Sequence, residues 1–69
     1  MTTQQSVLDE HHELRPKLDR LVTFIQGDVF KSLDSDEQQR LMRQMHAMAQ
    51  YDAVLRERIS AFQARSQER

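Results

Sequence analysis

Leu41-Met42-Arg43-Gln44-Met45-His46-Ala47-Met48-Ala49-Gln50-Tyr51-Asp52-Ala53-Val54-Leu55 decides the fold. Within it Leu41, Met45, Met48 and Leu55 recur at helical spacing, and Ile59 and Phe62 carry the stripe on. Strand alternation is absent. Just upstream, Ser35 with Gln38, or Asp34 with Glu37, forms a capping box that opens the helix. The spacing predicts a second helix over 35–64, about 45 Å long at ~1.5 Å per residue, with a frayed tail over 65–69.

The first half carries the same rhythm. Val7, Leu14, Leu18, Leu21 and Ile25 recur at three, four and seven, and His11 fills the gap. Pro16 interrupts this run, removing one backbone donor and crowding the carbonyl of His12, so a kink or break is expected near 13–15. The first helix is predicted over 1–26, with Gly27 as a left-handed C-cap. The connector, 27–34, holds Val29, Phe30 and Leu33; a single helical turn laying Phe30 and Leu33 over the end of a hairpin accounts for them. The expected fold class is all-α: a kinked antiparallel helical hairpin with a short connecting helical turn, one domain over 1–69.

Such a chain is poorly equipped to stand alone. It has 69 residues, 38% of them hydrophobic and 6% aromatic, and a core of this size seldom supplies more than about 3–5 kcal/mol without staples or partners. It has no cysteine, which excludes disulfides and thiolate metal sites. On a helical wheel Met42, Ala49 and Ala53 flank the main stripe on one side, and Tyr51, Val54 and Ala47 on the other. A lone hairpin leaves one flank wet, so a homo-oligomer is expected.

Ten Lys+Arg against eleven Asp+Glu give a net charge of −1, and no one-sign stripe suits duplex nucleic acid. No apolar run is long enough for a membrane span, and the N-terminus lacks the apolar core of a signal peptide. No nucleophile–base pair, phosphate-cradling glycine loop or paired-carboxylate site is present, so an enzyme is not expected, nor a cofactor. Asp9, His12 and Glu13 share a helix face and could be drawn as metal ligands, but a solvated face is the expected reading.

Two residues break the apolar pattern. His11 occupies a seam position and is read either as a histidine bonded to a neighbour or as a planar ring at a subunit junction, free to stack on a nucleobase. Asp52 falls in the middle of the second stripe. With Ile25 opposite Leu41 it faces Leu14, near His11 and Arg15, where a buried carboxylate demands a cation. The alternative is a solvated pair with Arg56.

Taken in order, Leu14-x-x-x-Leu18-x-x-Leu21-x-x-Phe24-Ile25, Phe30-Lys31-x-Leu33 and Gln44-x-x-x-Met48-x-x-Tyr51-x-x-x-Leu55-x-x-Arg58-Ile59 resemble the small helical phage proteins that include the anti-CBASS cyclic-oligonucleotide sponges. The resemblance covers roughly residues 7–62. It implies a compact homo-oligomer, a hexamer by analogy, that holds cyclic di- or trinucleotides between protomers in the host cytoplasm without hydrolysing them. It places His11 where the sponges carry a stacking tyrosine, and Gln26 or Lys31 where they carry a phosphate-binding lysine. His11 and His12 then face the base, Arg15, Lys31 and Arg58 are candidates for phosphate, and Tyr51 walls the pocket. Packing for Tyr51 and a surface ion pair for Arg58 are the structural alternatives. A small helical module docking on a host protein is the alternative function.

Overall fold

Two long helices and a one-turn connector account for the chain in a computed structural model, which describes residues 3–67. Helix α1 spans Thr3–Ile25, α2 spans Asp28–Ser32 and α3 spans Ser35–Gln67; no strand occurs among the described residues. Helix α3 is helical as far as Gln67, so 65–67 of the expected frayed tail belong to it, while 68–69 lie outside the described residues.

Helix α1 continues unbroken through Pro16. Proline removes the bond to the His12 carbonyl and crowds that oxygen, but the buried side chains Val7 and Leu18 anchor the helix on either side of that gap. The helix end also departs from expectation. Gly27 is not left-handed: its φ of −96° and ψ of 177° are extended, and it stands as the N-cap of α2. Tight bonds from Gln26 N to the Thr23 carbonyl (3.2 Å) and from Gly27 N to the Phe24 carbonyl (3.1 Å) close α1 instead, leaving no need for a positive φ.

The connector is held from several sides. Phe30 meets Phe24 edge-on, with centroids 6.4 Å apart and rings at 86°, a favoured aromatic arrangement. The Gln38 side-chain amide donates toward the carbonyls of Phe30 (3.0 Å), Leu33 (3.0 Å) and Lys31 (3.3 Å). The Phe30 carbonyl also accepts from Leu33 N at 3.1 Å; carbonyls at the end of a short helix lack partners within it. Of the two capping pairs, Asp34 with Glu37 supplies the cap: Glu37 N donates to Asp34 Oδ1 at 2.9 Å while the Glu37 carboxylate accepts from Arg40 Nε, and Ser35 is the first residue inside α3.

Residues early in α1 meet residues late in α3, as Gln4 and Val7 line one cleft with Arg58, Ala61, Phe62 and Arg65. The enclosed apolar core is small: Val7, Leu18 and Leu55. The radius of gyration is 15.8 Å and the extents are 54 × 20 × 14 Å, against roughly 11 Å for a compact chain of this length. Apolar surface stays open on both flanks, with Leu8, Phe24, Val29, Met42, Tyr51 (43%) and Val54 (49%) exposed. Met42 on one flank of α3 and Tyr51 and Val54 on the other are the apolar residues expected there from helical spacing.

Candidate functional site

The site is built where α1 residues 10–15 cross α3 residues 51–58. Heptad spacing on α3 puts position 52 on the seam between Met48 and Leu55, which turns the Asp52 carboxylate inward; it is 1% exposed. Burying an unpaired carboxylate is costly, and this one is met by three cationic or titratable side chains. Its Oδ2 accepts from Arg15 Nη1 at 3.1 Å and from Arg56 Nε at 3.0 Å. Its Oδ1 lies 3.0 Å from His11 Nε2.

The two halves of that arrangement differ in quality. The arginine contacts are aligned hydrogen bonds to a charged acceptor, the stronger kind. The His11 contact has the distance but not the alignment, so both its atoms are closed off from solvent without a hydrogen-bond partner. His11 is part-buried, with 26% of its side chain exposed, while Arg15 and Arg56 expose 51% and 62% of theirs. Each guanidinium carries five N–H donors; outward-facing ones remain for solvent, although Asp19 Oδ1 sits 3.3 Å from Arg15 Nη2.

Tyr51 and Arg58 lie on the exposed flank of the same crossing, with Glu10 of α1 against them. A hydrogen bond to the Glu10 carboxylate, then partial desolvation and the Glu10 charge, push the Tyr51 phenol above its ordinary 10.0, while Arg58 pulls the other way. A carboxylate at this spot works against an anion on Tyr51, so the Glu10 side chain must be displaced or neutralised for one to sit there.

The remaining expected residues are placed elsewhere. His12 is exposed on α1. Gln26 is exposed in the turn, and Lys31 is exposed on α2 with Asp28 Oδ1 4.0 Å from its Nζ. At ~1.5 Å per residue, the turn is on the order of 20 Å from His11 along α1. One chain therefore unites His11 and Arg15 around Asp52 and sets Tyr51 and Arg58 beside them, but does not bring Gln26 or Lys31 to either group. The Asp9–Glu13 run forms no metal-holding group among the described residues; Asp9 accepts from Gln5 Nε2 at 2.9 Å.

Two participants were hard to read from the sequence. Arg56 was legible as the residue one turn after Asp52, and it joins the cluster together with Arg15 rather than instead of it. Glu10 carried no signal of its own, because its role rests on how α1 and α3 are rotated against each other.

Fold and site define a small all-helical protein with a charged layer between its two long helices. The chain belongs to the Sequestin family, whose sequence model matches residues 1–61. That membership is consistent with the small phage sponge family that the order of its segments resembles, and the family name points to a sequestering role. No curated protein and no solved structure matches the chain.

Proposed function

We propose that this protein is a phage-type anti-defence sponge that binds cyclic di- or trinucleotide immune signals and removes them from the host cytoplasm without hydrolysis. The observation that carries this reading is the convergence of two planar rings, His11 and Tyr51, with three guanidinium groups, Arg15, Arg56 and Arg58, along one helix crossing. Rings stack on bases and guanidinium forks match phosphate oxygens. Sequestration asks only for tight binding and abundance, which suits a family whose name denotes it.

The site is completed by copies of the chain. In this reading each protomer is a kinked antiparallel hairpin, and the open flanks of α1 and α3 are covered by neighbours, a hexamer by resemblance. Gln26 and Lys31, far from His11 within one chain, then contribute to a neighbour's pocket. Native mass spectrometry with a thermal-shift screen of cyclic di- and trinucleotides tests the whole. An oligomer with a large melting shift for one nucleotide, recovered unaltered after denaturation, supports it; a monomer indifferent to all of them refutes it.

A second reading has one observation in its favour. Phe30, Met42 and His46 with Gln38, Gln39 and Arg43 line an open groove at the connector end, a shape suited to an apolar segment of a host protein. A chain that stays monomeric, ignores the nucleotides and binds a host protein through this groove meets that reading instead.

A further inference from the structure

Arg15 and Arg56 belong to different helices, yet both donate to the same oxygen, Asp52 Oδ2. Two like charges held as neighbours repel, and the buried carboxylate between them is what makes the arrangement stable. It also fixes geometry: each guanidinium spends an inner N–H on Asp52 and turns the rest of its fork outward, half exposed. We propose that Arg15 and Arg56 form a two-guanidinium cradle for a phosphate-type anion, and that Asp52 is the positioning residue that presents them. The inference deepens the sponge reading, on which it rests for the identity of the natural ligand, by naming Arg56 as a contact and assigning Asp52 its task.

Asp19 makes the proposal sharp. Its carboxylate lies 3.3 Å from Arg15 Nη2 and is itself 60% exposed, so it occupies the outer side of Arg15 as a replaceable stand-in for an incoming anion. Asp19 and Asp52 carry the same charge and touch the same arginine. On charge alone, neutralising either strengthens anion binding. If Asp52 positions the pair, the two neutralisations act in opposite directions.

The experiment follows the Arg Nε–H resonances of the full chain by NMR during titration with inorganic pyrophosphate, and in parallel measures affinity for 3′,3′-cyclic di-AMP and a cyclic triadenylate. The expected result is that pyrophosphate perturbs Arg15 and Arg56 in the wild type, that Asp19→Asn tightens this by about 2- to 3-fold, and that Asp52→Asn weakens it by about 10-fold or more, a charge-assisted contact being worth about that. Tightening by both variants, or no perturbation of either arginine in the wild type, overturns the proposal. If Asp52→Asn does not fold, Arg56→Gln carries the test from an exposed position: loss of the response at unchanged melting temperature supports the cradle, and an unchanged response overturns it. A cradle that takes pyrophosphate in a protein that binds no cyclic nucleotide upholds this inference and refutes the sponge reading; tight cyclic-nucleotide binding, indifferent to Asp52→Asn and Arg56→Gln, does the reverse.

Discussion

Arg15 of α1 and Asp52 of α3 meet at 3.1 Å between Nη1 and Oδ2, with the carboxylate enclosed and the guanidinium half in solvent. The contact joins the two long helices at a point where the surrounding stripe is otherwise apolar. Its energetics therefore depend on what replaces the carboxylate rather than on the bond alone.

Asp52→Ala is expected to lower stability by about 2–3 kcal/mol, below the usual cost of breaking a fully buried pair because both arginines keep access to water. Asp52→Leu, which continues the Met48–Leu55 stripe, is expected to lose less than Asp52→Ala, since leucine fills the seam with apolar volume while the half-exposed arginines turn to solvent. Chemical denaturation at fixed protein concentration separates the two. If the leucine variant proves as unstable as the alanine one, the carboxylate is required for folding rather than tolerated by it.

Tyr51 supplies a pH dependence with a definite sign. Its phenol is raised in the folded chain, chiefly by the hydrogen bond to Glu10, so the folded state holds this proton where the unfolded one has released it. The contribution is complete below about pH 10 and disappears as pH climbs through the raised folded value. Tyr51 is the only tyrosine and there is no tryptophan, so phenolate absorbance reads it directly. Glu10→Gln is expected to shift that titration downward, and Tyr51→Phe to remove this part of the alkaline loss; a titration indifferent to Glu10→Gln contradicts the assigned cause.

Gly27→Ala is expected to raise stability by about 0.4–1 kcal/mol. The backbone is extended there, a Cβ would meet the Phe24 carbonyl oxygen at an ordinary 3.5 Å, and alanine loses less freedom on folding. Thermal melts decide the sign, and a decrease would mean that the turn needs conformations only glycine reaches.

Asp34→Ala removes the acceptor for Glu37 N and is expected to cost about 1 kcal/mol. Amide exchange over 36–38 should quicken with it. Exchange unchanged at those amides is the outcome that denies Asp34 its capping role.

His11→Ala is expected to weaken cyclic-nucleotide binding about tenfold or more, in line with the worth of one ring stacked on a base, while native mass spectra show the assembly intact. Unaltered affinity removes His11 from the ligand and leaves it only as a neighbour of Asp52.

Much of this architecture was legible in the residues themselves. Helical spacing from Leu41 to Phe62 announced α3, and a carboxylate at position 52 of an apolar stripe announced its cationic partners. Harder to read were features that depend on local closure. Gly27 invited a left-handed cap, but bonds to the Thr23 and Phe24 carbonyls finished α1 without one. Pro16 invited a kink or a break, and the break does not occur: one missing bond does not outweigh packing on both sides of it. The pairing of Glu10 with Tyr51 was invisible because it is set by helix rotation, which spacing along one helix does not encode.

The amide of Gln38, within reach of three carbonyls, ties α3 to the elbow between the long helices. At the opposite tip Val7 is buried and borders a cleft with Phe62. Helix α1 is about 35 Å long at ~1.5 Å per residue, so a difference of a few degrees in the angle set at the connector would displace the residues beside Arg58 and Arg65 by an ångström or more. The tie at the elbow thus bears on the width of the cleft at the far end of the hairpin.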